Sequence, residues 1–133
     1  MIGLDTNVVV RFLLDDHPSQ SEAARQFFGS LSEGNPGYLS ILVIAEAFWV
    51  LRSGARLPTS DVLDAIGGLV DSPEIQVESP ARVRSALRLA RGGADLPDAL
   101  IAAAGRDAGC DEIVTFDRRA ATSLGMRLLG EVG

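Results

Sequence analysis

The sequence has 133 residues, a length typical of one domain, and 47% of them are hydrophobic, which is enough for a sizeable core. Its net charge of -6 argues against a broad basic surface for nucleic acid. All 12 basic residues are arginines, so the lysine that Walker phosphate loops and some phosphatase sites use is missing. We predict a single domain over residues 1–133.

The single cysteine and the single histidine exclude further chemistry, because disulfide frameworks and Cys/His zinc sites need more of these residues. Cys110 is predicted to be a small buried or half-buried residue. His17 is the only histidine available to a Ser-His-Asp triad, but its polar loop ahead of a predicted helix favours a solvated or capping role. The longest apolar stretch, at 41–51, is too short to span a membrane, and we expect a cytoplasmic protein.

Strand and helix signals alternate along the chain. Short apolar runs between turn residues predict strands at 1–4, 37–40, 75–78, 112–116 and 127–129. Apolar residues at helical spacing, with capping residues at the ends, predict helices at 7–14, 19–31, 40–54, 61–70, 81–93, 94–109 and 117–125. This alternation predicts an α/β layer architecture with a mainly parallel sheet.

Two acids directly follow predicted strands. Asp5 comes after the strand at 1–4, and Asp117 comes after the strand at 112–116. Ligands of a parallel sheet collect beyond the carboxyl ends of its strands, so both acids are expected at the same sheet edge. Aspartate is also a favoured helix cap, and capping alone is the alternative explanation for each residue.

Glu46 lies in the middle of a predicted helix, where capping cannot explain it. Its neighbours three or four positions away are apolar, so the helix is predicted to be mostly buried. A buried carboxylate needs a cation, a hydrogen-bond network or a raised pKa. A structural ion pair with an arginine is the alternative.

Asp98 is a weaker signal by itself. Asp95 and Asp98 stand three positions apart at a predicted helix start, which could be only a cap followed by an acid. The four acids together, without His or Cys partners, are typical of an oxygen-ligand site for Mg²⁺ or Mn²⁺, and such a site suits phosphodiester hydrolysis. The predicted catalytic and metal-binding residues are Asp5, Glu46, Asp98 and Asp117.

The segments "GLDTNVVVRFLL", "SILVIAEAFWVL", "ADLPDALIAAAGRDAGC" and "IVTFDRRA" resemble the successive motifs of PIN-domain proteins. More narrowly, the chain is similar to the VapC-type toxins of prokaryotic toxin-antitoxin modules, from Met1 to about Leu129. The resemblance implies a three-layer α/β/α PIN-like fold with a mainly parallel central sheet. It also implies a Mg²⁺- or Mn²⁺-dependent endoribonuclease that acts as the toxin.

The resemblance assigns further roles. The family's four acids fall on the residues already named, and its small polar supporting residues match Thr6, Asn7 and Thr115. Asp95 matches an auxiliary acid. Family members usually form homodimers and are inhibited by a VapB-type antitoxin whose tail lies across the active-site groove, so the resemblance implies both partners.

Two departures from the family pattern are visible. Leu96-Pro97 stands where many members carry an aromatic and a small residue, and Arg119 stands where many carry another acid. Because the chain is acidic, contact with RNA is expected to depend on a local set of arginines as well as the metal. The predicted set is Arg11, Arg118 and Arg119.

Three functional hypotheses follow. The leading one is a toxin ribonuclease that cleaves RNA with metal-activated water. The second is a catalytically weak interaction domain whose acids bind an arginine-bearing partner peptide, and the third is a DNA-directed or phosphatase-like metal hydrolase. The complete set of four acids favours the first hypothesis.

Overall fold

The computed structural model describes residues 1–130. The chain forms two compact units, Met1–Pro80 (unit 1) and Ala81–Gly133 (unit 2). Helices and short parallel strands alternate in both units, which confirms the predicted α/β class. The single domain over 1–133 stays a prediction.

Unit 1 is built around a parallel sheet of three short strands in the order β1-β2-β3. Gly3 pairs with Tyr38, and Leu39 pairs with Val77, so the carboxyl ends of the strands meet at one edge. The elements are β1 (Ile2–Gly3), α1 (Thr6–Leu14), α2 (Pro18–Gly29), β2 (Gly37–Leu39), α3 (Ile41–Trp49), a π-helical turn (Val50–Gly54), α4 (Thr59–Val70) and β3 (Ile75–Val77).

Unit 2 contains three helices and two strands among its described residues. Strands β4 and β5 pair in parallel, with Thr115 opposite Leu128. The first helix begins at the last residue of unit 1. The elements are α5 (Pro80–Arg91), α6 (Leu96–Asp107), β4 (Val114–Thr115), α7 (Arg118–Leu124) and β5 (Arg127–Leu128).

Local capping explains where several helices begin. The Ser40 hydroxyl accepts a hydrogen bond from the Val43 N–H at 3.2 Å, which confirms the predicted cap of α3. His17 caps α2, and its Nδ1 accepts from the Gln20 N–H at 3.2 Å. The histidine therefore has the capping role that the sequence favoured.

The small residues of α6 allow close packing inside unit 2. A Cβ added to Gly105 would lie 2.8 Å from the Ile113 Cδ1 atom, so a larger residue would force this contact to shift. Ala102, Ala120 and Met126 form a buried cluster against which Ile113 also packs. This packing holds α6 and α7, the helices that begin next to two of the candidate acids.

Two burial predictions are wrong. Cys110 is exposed rather than buried or half-buried. Helix α3 buries only one face, and its opposite face exposes Leu42 (68%) and Trp49 (65%) together with Glu46. Apolar residues also make up much of a protein surface, so an apolar sequence does not by itself guarantee burial.

Candidate active site

Asp5 ends the first strand region and begins α1. Its backbone is extended, with φ of -88° and ψ of 157°, and it occupies the N-cap position of the helix. The side chain makes no capping hydrogen bond, and the residue is exposed. The capping alternative therefore does not account for this carboxylate.

Glu46 is joined to the start of α1 by a hydrogen bond. The Thr6 hydroxyl donates to the Glu46 Oε2 atom at 3.1 Å, and Thr6 itself is buried. Helix α1 packs against α3, which brings together two residues that lie 40 positions apart in the sequence. Glu46 is exposed, so its carboxylate is held by a neutral donor at the surface and not in the buried setting that the sequence predicted.

The start of α3 depends on an acid that sequence reasoning missed. The Ile41 N–H donates to the Glu78 Oε1 atom at 2.9 Å. Glu78 directly follows β3, and the pairing of Leu39 with Val77 places it beside Ser40, the cap of α3. A carboxylate at a helix N-terminus is favourable because the free N–H groups and the helix dipole attract it. The missed signal was an acid at the end of the predicted strand 75–78, comparable with Asp5, which follows the predicted strand 1–4.

Asn7 and Arg11 lie on the side of α1 that faces α2. They line a groove of about 470 Å³ together with residues of β1 and α2, including Phe27. The Arg11 Nε donates to the Gln20 Oε1 at 2.8 Å, and its guanidinium forms an ion pair with Asp16 at 3.1 Å. The guanidinium of Arg11 is thus held within unit 1 by two partners.

Asp95 and Asp98 share the first turn of α6. Asp95 caps this helix, since its Oδ2 accepts from the Asp98 N–H at 3.1 Å. Burial raises the pKa of Asp98 above its ordinary value of 3.8, and the nearby carboxylates of Asp95 and Asp117 raise the pKa further. The local cap predicted as the alternative is present, and it leaves the Asp98 carboxyl among other acids.

Asp117 has a capping role in unit 2. Its Oδ1 accepts from the Arg119 N–H at 2.8 Å and from the Ala120 N–H at 3.4 Å. Its own N–H donates to the Thr115 hydroxyl at 3.0 Å, so Thr115 fixes the backbone of the acid. Asp117 therefore makes the capping bonds that the alternative predicted, and the same carboxylate also raises the Asp98 pKa.

The structure thus brings the candidate residues together unit by unit. Thr6 and Glu46 meet in unit 1, and in unit 2 the carboxylates of Asp95 and Asp117 act on Asp98. Among the described residues of either unit, no three His, Cys, Asp or Glu side chains form a group that could hold a metal ion. The gathering of all four acids around one cation stays a prediction. Arg118 and Arg119 are exposed at the start of α7, and their contact with RNA is also a prediction.

Comparison with known protein families identifies the family of the chain. The PIN domain family model matches residues 2–122. The chain therefore belongs to the PIN domain family, and the expected α/β PIN fold is confirmed. No curated protein matches the chain significantly.

Family membership indicates the general chemistry that is typical of such a domain. PIN domains are typically metal-dependent nucleases, they generally use Mg²⁺ or Mn²⁺, and the family suggests RNA as a substrate. Among residues 1–130, no helix combines the length and the hydrophobicity needed to cross a membrane.

Proposed function

We propose that this protein is the toxin of a VapC-type toxin-antitoxin module and acts as a Mg²⁺- or Mn²⁺-dependent endoribonuclease. The proposal includes one PIN-like domain over 1–133, a cytoplasmic location, a homodimer, and inhibition by a VapB-type antitoxin. The hydrogen bond from Thr6 to Glu46 carries the proposal, because it places a mid-helix carboxylate beside the residue that follows Asp5. Membership of a family of typical metal-dependent nucleases supports it.

The donor chemistry fits a hard divalent cation. The four acids offer only carboxylate oxygens, which Mg²⁺ and Mn²⁺ prefer, and three of them are exposed. Burial is the main cause of the raised pKa of Asp98, and the carboxylates of Asp95 and Asp117 add a repulsion that a cation relieves. We infer that the ion is held by Asp5, Glu46, Asp98 and Asp117.

The roles of the chain's own residues follow from this assignment. Thr6 orients Glu46, Asp95 fixes the first turn of α6, and Thr115 fixes the backbone at Asp117. When bound, the cation supplies positive charge at the phosphodiester and activates water for attack on phosphorus. Oriented carboxylates matter because positioning that is wrong by about 1 Å can cost roughly 100-fold in rate.

A cleavage assay tests the proposal. Purified protein is incubated with a mixed pool of cellular RNA in Mg²⁺, in Mn²⁺ and in EDTA, and the fragment ends are sequenced. We expect cleavage that needs the metal and that falls at least about 100-fold in Asp5→Asn and Asp98→Asn, because each loses a ligand charge at nearly constant volume.

Asp111→Asn is the matched control, since it makes the same chemical change at an exposed acid outside the candidate set. It should cleave like the wild type. Absence of RNA cleavage by the wild-type protein would contradict the proposal and favour the interaction-domain hypothesis. Full activity in both Asp5→Asn and Asp98→Asn would contradict the assignment of the site.

A further inference from the structure

Phe116 differs from the other four phenylalanines of the chain. Phe12 stacks on Phe28 with ring centroids 4.0 Å apart, and Phe27 meets Phe28 edge-on at 5.8 Å. Phe48 is buried in α3. Phe116 belongs to neither ring pair and is 80% exposed, more than any other large apolar residue within residues 1–130. Its ring therefore lacks the packing that accounts for the other four.

The backbone around Phe116 is held in place although its ring is exposed. The Thr115 carbonyl accepts from the Leu129 N–H at 2.8 Å, and the Asp117 N–H donates to the Thr115 hydroxyl at 3.0 Å. Near the ring, the chain has a glycine: a Cβ added at Gly130 would lie 3.6 Å from the Phe116 Cε1 atom. These hydrogen bonds hold the backbone in place, so the exposed ring can bind a partner with little further loss of conformational freedom.

The position of this ring relates it to the proposed cleavage site. Phe116 directly precedes Asp117, one of the four candidate metal ligands, and consecutive Cα atoms are about 3.8 Å apart. Arg119, which is exposed, follows Asp117 by two residues. Adjacent residues therefore carry the ring and the candidate ligand, which places Phe116 beside the proposed cleavage site in the chain.

The negative charge of the protein means that its affinity for RNA needs contacts that do not depend on charge. With a net charge of -6, general attraction to phosphate is weak, and affinity for RNA needs another source. Aromatic side chains supply one by stacking on bases, and this contact tolerates any base because each has a π face. Bases inside a duplex are already stacked, so the contact selects unpaired nucleotides.

We propose that Phe116 is a stacking platform for one unpaired base next to the scissile phosphate. This inference rests on the proposed ribonuclease function and adds a substrate-contact residue to it. Phe116 is a substrate-contact residue and takes no part in the chemical step.

Steady-state kinetics on a fluorogenic single-stranded RNA in Mg²⁺ test the inference. We expect Phe116→Ala to raise KM by roughly 5- to 100-fold, the range for loss of one stacked base, with kcat within about threefold of wild type. Phe116→Tyr should retain the wild-type KM, whereas Phe116→Leu, which is apolar but has no π face, should behave like Phe116→Ala. Val114→Ala is the matched control, because Val114 is an exposed apolar residue of β4, two positions before Phe116, and its loss should leave KM unchanged.

A scan with single abasic nucleotides locates the stacked base. At one position of the RNA, removal of the base should raise the KM of the wild type to the value of Phe116→Ala. The same abasic RNA should leave the KM of Phe116→Ala unchanged. Wild-type KM in Phe116→Leu, or equal KM values in Phe116→Ala and the wild type, would overturn the inference while leaving the ribonuclease function intact. So would conversion of an oligomer to monomers by Phe116→Ala, because the ring would then be a contact between copies. If the wild type cleaves no RNA, both the inference and the proposed function fail.

Discussion

Helices α3 and α6 hold their candidate acids in different ways. Glu46 lies in the middle of α3, exposed, and accepts a hydrogen bond from a buried hydroxyl. Asp98 lies in the first turn of α6, partly buried, with a pKa raised by burial and by Asp95 and Asp117. One carboxylate is oriented by a neutral donor, and the other is crowded by acids. Orientation should matter mainly for activity, and crowding mainly for the response to pH and to metal.

The largest effect is expected when Glu46 loses its hydrogen-bond donor, the Thr6 hydroxyl. Thr6→Val keeps the shape of the buried residue but removes the hydroxyl, so Glu46 loses its orienting partner. Outer partners of ligating groups typically contribute 10- to 100-fold, and we expect RNA cleavage in Mg²⁺ to fall by about 10-fold. Thr6→Ser, which retains the hydroxyl, should cleave at nearly the wild-type rate. Equal activity of Thr6→Val and Thr6→Ser would show that the hydrogen bond has no part in orienting Glu46.

A smaller effect is expected at the start of the same helix. Glu78→Ala removes the acceptor of the Ile41 N–H, and we expect the free energy of unfolding in urea to fall by about 1 kcal/mol. Glu78→Gln keeps an acceptor oxygen and should lose less. Glu33→Ala, at an exposed turn residue, serves as the control. If Glu78→Ala is as stable as Glu33→Ala, the Glu78 contact does not stabilise α3.

The smallest effect is expected in the stability of Asp98→Asn without metal. A raised pKa means that the folded state favours the protonated carboxyl, so its stability relative to the unfolded chain declines as pH rises from about 3.8 through the folded-state pKa. In EDTA at pH 7, Asp98→Asn should therefore melt at a higher temperature than the wild type, and this advantage should shrink toward pH 3. Added Mg²⁺ should raise the Tm of the wild type more than that of the variant.

Asp111→Asn should show neither the pH-dependent advantage nor the altered response to Mg²⁺. A lower Tm for Asp98→Asn than for the wild type in EDTA at pH 7 would mean that the carboxylate is stabilised in the fold rather than crowded. The comparison between Glu46 and Asp98 would then no longer hold.

Much of the fold was predictable because its signals are local. Ser40 and His17 cap helices through bonds to residues three positions away, and the alternation of strand and helix patterns indicated the parallel α/β class. The four candidate acids were predicted as a set, because Glu46 lies where capping cannot explain it and the other three stand at strand ends or at a helix start. Capping was also predicted as an alternative role for Asp117, and its hydrogen bond from the Arg119 N–H is equally local.

Other features depended on which distant segments cover a residue. Neither the exposure of Glu46 nor that of Phe116 could be deduced from neighbours in the sequence, because burial is decided by elements packed from elsewhere in the chain. The contact between Glu78 and the start of α3 required the register of β2 with β3.

The sequence by itself determined the class of fold, the ends of most helices and the four acids of the candidate site, since these follow from spacing and from local hydrogen bonding. Only the tertiary structure decided that Thr6 orients Glu46, that acids crowd Asp98 and that the Phe116 ring stands in solvent. The first two features depend on contacts between residues that meet only when the chain folds. The third depends on which segments of the folded chain leave the ring uncovered.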